Sequence, residues 1–352
     1  MKASFLAAIV LFLGAVLPTS GAAQNAGFAG LGQDIAGFAQ PQVNQPWEFP
    51  KDHAAHPNYR IEWWYVTANL QDKQGRDFGV QWTLFRSALR PETVLGWNDP
   101  QIWMGHAAIT SATQQLTAQR FARGGVGIAG AKTTPFEAWI DEWKMQGSDD
   151  FSSLFLTAGG ADFTYDLNLE TDKPLIFHGQ NGYSVKSEGG QASRYYSQSN
   201  YQVTGKLMLL NEEIEVTGTA WLDREFSSQP LAPDQQGWDW FSLNFDDGSK
   251  AMVFRLRGTR DFYAGTWITP NGAASALAPA EIILTPKRYA LVAGRKIPVD
   301  WQVILPTKGV DISVSPLNDQ SWMPGLFAYW EGPILINGTR SGRGYLEMTG
   351  YE

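Results

Sequence analysis

The 352-residue chain contains no cysteine and only four histidines. Without cysteine there is no disulfide, no thiolate nucleophile and no Cys-ligated metal. A mature chain of this length must be held together by its apolar core, and roughly 330 residues are enough for that. Few histidines leave little for a metal centre: His53 and His56 lie in a Pro-containing irregular segment, and His106 and His178 each stand alone. No His-Glu-x-x-His, Gly-x-Ser-x-Gly or phosphate-binding glycine motif occurs. A Ser-His-Asp site is left only to residues that meet in space. Neither a metal nor another cofactor is therefore expected. Basic runs are missing too, and the net charge is -8, which argues against a nucleic acid or an anionic lipid surface as partner.

Long apolar runs are missing except at the start. Lys2, the apolar stretch Phe5 to Leu17 and the small residues Ser20-Gly21-Ala22-Ala23 read as an export signal with cleavage near Ala23. The run is too short, and too soon broken by Pro18, for a stable membrane span. The expected location is a bacterial periplasm. Residues 24–51, rich in Gly, Ala, Gln and Pro, read as a flexible arm.

What the chain has is aromatic rings beside acids. Tryptophan is abundant, with 15 residues. Four clusters stand out: Glu62-Trp63-Trp64-Tyr65, Trp221 to Phe226, Gly237 to Phe241, and Tyr329-Trp330-Glu331-Gly332. They sit in segments that read as strand. Phe78, Val80, Trp82 and Leu84 alternate with Gly79, Gln81, Thr83 and Phe85, the period of a two-faced sheet. Similar short segments recur to the C-terminus, separated by Gly, Pro, Asn and Asp, and no long amphipathic helix is evident. The fold class is all-β, of barrel or sandwich type.

The halves echo each other. Trp64-Tyr65, a Gln74-Gly75 turn and Leu84-Phe85-Arg86 recur as Trp240-Phe241, an Asp247-Gly248 turn and Phe254-Arg255. A boundary is expected near Phe226 to Gln236, giving domains 52–228 and 229–352.

Alternation sorts the acids. In an extended Trp221–Phe226 segment, Trp221, Asp223 and Glu225 share one face and Arg224 takes the other. Glu62 and Trp64 point together, opposite Trp63 and Tyr65. Asp239 shares its face with Phe241, opposite Trp238 and Trp240. A carboxyl among rings has a raised pKa and is suited to donate a proton. The candidate acids are Asp223, Glu225 and Asp239, with Glu62 next. Trp64, Trp221, Trp240 and Trp330 are candidate ring walls, and Tyr195 or Tyr196 a candidate to position water. The competing reading has the rings filling a core and the acids pairing with Arg224.

The stretch His56-Pro57-Asn58-Tyr59-Arg60-Ile61-Glu62-Trp63-Trp64-Tyr65, followed by Phe78 to Arg86, resembles the opening of the AttH / carotenoid 1,2-hydratase family, often labelled predicted secreted hydrolases. Further matches are Ala192 to Ser197, Gly218 to Ser227, Gly237 to Phe241, Tyr329 to Gly332 and Gly344 to Tyr351. The resemblance implies two lipocalin-like (calycin) antiparallel β-barrels packed together, with a cavity for lipidic or polyene ligands. It also implies water addition to an alkene, ring closure of polyenes, or an association with an ABC transporter. The export signal sets this chain apart from the hydratase branch, so the expected ligand is a hydrophobic molecule or lipid in general. Two classes follow: a hydratase- or hydrolase-like enzyme with a buried carboxylate as general acid, and a non-catalytic periplasmic carrier.

Overall fold

A computed structural model describes residues 31, 36–92 and 94–351. The expected export signal lies outside the described residues. No helix among them is long and apolar enough to cross a membrane. Regular structure is antiparallel strand, interrupted by short 3-10 turns such as Lys51–His53.

The strands form two curled sheets. The first has 13 strands between Ile61 and Ser227 and approaches a closed barrel; the second has 10 strands between Gly237 and Thr349 and makes a half-barrel. The all-β, two-unit architecture read from the sequence is the one observed. The echo between halves has a topological counterpart. In the first sheet, Ile61–Asp72 pairs with Asp77–Ala88 on one side and with Glu212–Ser227, the last strand of its half, on the other. In the second, Gly237–Phe245 lies likewise between Lys250–Arg257 and the closing strand Gly342–Thr349. One strand, Ala192–Leu209, is long enough to carry a register shift between Gln198 and Tyr201.

Each unit fills its own interior. Trp64, Val66, Trp82, Leu84, Trp143, Leu167, Tyr196 and Leu222 belong to one buried apolar cluster in the first. Phe241, Val253, Trp301, Val303, Trp330 and Leu346 belong to another in the second. A third cluster spans the junction, with Tyr65, Tyr195 and Trp221 from the first unit and Trp240, Phe254, Leu256 and Tyr345 from the second. Backbone contact there is close: a Cβ on Gly79 would lie 2.6 Å from Pro333 Cγ. The described part of the 24–51 stretch packs against the body rather than trailing free. Trp47 lies under Arg194, 3.8 Å from ring centre to guanidinium carbon, and its indole N–H donates to the Asn181 carbonyl.

Candidate functional site

Strand periodicity sends alternate side chains to opposite faces, so two filled interiors leave two outward faces to meet each other. Register then dictates what meets. On the first sheet one row across neighbouring strands reads Tyr195, Glu225, Trp63, Phe85, Met104. The next row on that face carries Ser197, Asp223, Tyr65, Thr83 and His106. Opposing them, the second sheet presents Phe254, Trp240, Glu347 and Glu331 in one row, with Leu256 beside Trp238 in the row above.

Between these faces lies a cavity of about 270 Å³. Its walls divide chemically. Leu31, Ile61, Leu89, Leu231, Leu256 and Phe327 make an apolar part, while Asp223, Glu225, Glu347, Lys186, Tyr65 and Tyr195 gather polar groups among the rings of Trp63, Trp238 and Trp240. A mostly apolar concavity with few convergent polar groups is the usual form of a small-molecule site.

Asp223 is the best-supported carboxyl there. Tyr195 Oη donates to its Oδ2 at 2.6 Å, Trp221 Nε1 donates to Oδ1 at 2.6 Å, and Ser197 Oγ donates to Oδ1 as well. Burial raises its pKa to about 7, the three hydrogen bonds oppose that rise, and the charge of Glu225 adds to it. Trp240 Nε1 donates in turn to Tyr195 Oη at 3.2 Å, so a group of the second unit fixes the phenol that fixes the acid. Glu225 is held differently, 2.8 Å from Lys186 Nζ and accepting from Ser193 Oγ. The Lys186 ammonium also sits 4.7 Å from the Tyr195 ring centre and 4.4 Å from that of Phe254.

From the opposite wall comes Glu347, which accepts from the Trp238 indole N–H. Burial lifts it to about 7; hydrogen bonds from Trp238 and Tyr65 oppose this, and the charges of Asp223 and Glu225 reinforce it. Behind it, directly across the strand pair, Glu331 accepts from Tyr65 Oη, with the Tyr329 hydroxyl also near it. Burial and then the Glu347 charge push Glu331 well above the ordinary carboxylate range. His106 Nδ1 lies 2.8 Å from Tyr329 Oη, and burial lowers its pKa to about 4, leaving the ring neutral.

The sequence candidates therefore separate. Asp223, Glu225, Tyr195 and Trp240 line the cavity; Trp221 stands behind it as a donor to Asp223. The others do not reach it. Glu62 faces the first interior, is 0% exposed, and is bound by Arg86, Arg224 and His56. Burial alone raises its pKa, but Arg86 and then Arg224 more than offset this and hold it well below the usual range. It is a structural anion, unsuited to donate a proton. Asp239 points into the second interior, paired with Arg255 at 2.7 Å and accepting from Tyr351 Oη at 2.7 Å. Trp64 and Trp330 are core residues, and Tyr196 is turned inward against His53 Nδ1 at 2.6 Å. Arg224 takes the face opposite Asp223 and Glu225, as alternation predicts, and lies beneath Trp64; of the candidate acids it pairs with Glu62.

A Ser-His-Asp grouping does form, in the wrong order for a nucleophile. Ser197 Oγ stands between Asp223 and His178 Nε2, the latter at 2.6 Å, and His178 Nδ1 lies 2.8 Å from Thr266 Oγ1. No carboxylate orients the imidazole, and Ser197 is 0% exposed. Sequence reasoning missed Glu347 and Lys186, and it marked the cluster of Glu331 without naming that residue a candidate acid. Glu347 lies within the Gly344 to Tyr351 stretch, and pairing its strand with that of Trp240 identifies it.

Solved structures share this fold. An AttH-type protein from Nitrosomonas europaea is 34% identical, with 90% of this chain and 100% of that one covered and a TM-score of 0.80. Kievitone hydratase from Nectria haematococca has a TM-score of 0.64 at 16% identity, covering 89% of this chain and 98% of that one. CghA, solved with Sch210972, has a TM-score of 0.54 at 12% identity, over 84% of this chain and 89% of that one. The last two likenesses are of fold. Among curated proteins none matches significantly. The model of the AttH-like family matches residues 40–351, and the chain belongs to that family.

Proposed function

We propose that the protein is an exported enzyme that binds a hydrophobic, unsaturated molecule between its two units, 52–228 and 229–352, and protonates it from Asp223. The observation that carries this reading is a desolvated carboxyl, raised to about 7, on the wall of a ring-lined cavity. Such a group is protonated often enough near neutral pH to act as an acid, and ionised often enough to be reset. The Asp223 proton goes to one alkene carbon, and the cation left on the other carbon lies against the faces of Trp238 and Trp240, an attraction of about 2 kcal/mol when desolvated. Water adds to that carbon and gives its extra proton to the Glu347 carboxylate. The sum is hydration of the alkene, with one proton passed from Asp223 to Glu347. Similarity in fold to a hydratase supports this reaction class.

The test is incubation with prenylated phenols and acyclic terpenoid alkenes in heavy-oxygen water, with mass spectrometry of the products. Label enters the product with the wild-type chain. Asp223→Asn lowers turnover by about 10²–10⁴-fold and leaves binding of the same alkene within a small factor. A carrier would bind equally well and incorporate no label with either protein.

A further inference from the structure

The polar end of the cavity is anionic, and that constrains the charge of what can enter. Three carboxyl groups line it, Asp223, Glu225 and Glu347, with Glu331 behind Tyr65. Two cations line it, Lys186 and Arg60. Lys186 is engaged with Glu225, and Arg60 precedes Ile61 on the cavity wall. His106 is neutral, and the remaining titratable groups facing the space are the phenols Tyr65, Tyr195 and Tyr329. At the polar end an entering carboxylate or phosphate would meet ring faces and acid oxygens, and the cation lining that end, Lys186, already holds Glu225, so hydration is lost there with no uncommitted counter-ion in return. An ammonium would meet the opposite: desolvated carboxylates for charge, and the π-faces of Trp63, Trp238 and Trp240.

We infer that the cavity discriminates by charge, excluding fatty-acid-like anions and accepting amphiphiles whose polar end is neutral or cationic, with an alkylammonium as the tightest class. This rests on the cavity being the ligand site. It adds a linkage. A bound cation favours the ionised forms of Asp223 and Glu347, so binding an ammonium below about pH 7 must expel protons.

The experiment is isothermal titration of the full chain with dodecyldimethylammonium, dodecanol and dodecanoate at submicellar concentration, in buffers of different ionisation heat. The ammonium is expected to bind at least about tenfold tighter than dodecanoate, with dodecanol between them. Proton release should accompany ammonium binding near pH 6 and vanish near about pH 8.5. In Asp223→Asn/Glu347→Gln the preference over dodecanoate and the proton release both fall away while dodecanol still binds. Dodecanoate binding as tightly as the ammonium, or ammonium binding with no proton release near pH 6, overturns the inference and leaves the cavity assignment standing. If none of the three binds, or if Leu256→Trp leaves all three affinities unchanged, the inference falls together with the reading beneath it.

Discussion

Two carboxyls of the same strand pair show how environment decides a residue's role. Glu62 is 0% exposed yet surrounded by guanidinium groups, and it stays ionised. Asp223 is equally enclosed, but hydroxyl and indole donors surround it, and its pKa climbs to about 7. Glu347 on the facing sheet is less enclosed, yet its pKa also climbs to about 7. Raised carboxyls leave a thermodynamic trace. The folded chain holds protons near pH 5–6 that the unfolded chain, with carboxyls near about 4, has released. This contribution is whole below the unfolded value and is lost as pH rises through about 7, every tenfold gain in proton affinity on folding being worth about 1.4 kcal/mol. Glu347→Gln removes one such group. Its melting temperature relative to wild type should therefore rise by several degrees between about pH 5 and pH 8. A difference that does not vary with pH would show that Glu347 is an ordinary ionised carboxylate.

Strands carry the sorting of these residues. Successive positions in Glu62-Trp63-Trp64-Tyr65 go alternately to a packed interior and to the inter-unit cavity, which is why one cluster supplies both an ion-pair anchor and two cavity walls. Alternation was readable in the chain, and the partition of Trp221, Asp223 and Glu225 from Arg224 followed from it. Which face is the site was not readable, because these strands are buried on both sides and present rings to both. A period-of-two pattern specifies two faces without saying what covers each. The interior acid has a structural consequence of its own. Glu62→Ala strands Arg86 and Arg224 in an apolar interior and should cost about 3–5 kcal/mol in urea unfolding, whereas a loss below about 1 kcal/mol would mean that the two arginines find other partners.

At the scale of the molecule, the two curled sheets are walls of one cavity. The sequence made the aromatic-acid chemistry and the two-unit plan visible, and its natural reading was a hollow inside a barrel. Both interiors are filled instead, by Trp64, Trp82 and Trp143 in one unit and Trp301 and Trp330 in the other. The space falls where outward faces meet, as Trp240 bonding to Tyr195 and Tyr65 bonding to Glu331 already join the units there. Such a site depends on contacts between strands as distant in the chain as those of Tyr65 and Glu331, which no local pattern encodes. The most direct test of this placement is a fluorescence titration with the neutral apolar probe N-phenylnaphthylamine, comparing wild type with Leu256→Trp, whose larger ring fills the space between the units and leaves both interiors untouched. Saturable binding by wild type, weakened at least about tenfold in a variant whose near-ultraviolet circular dichroism reports a folded protein, is the expected result. Equal binding by the two proteins would contradict it and return the ligand to the inside of a barrel.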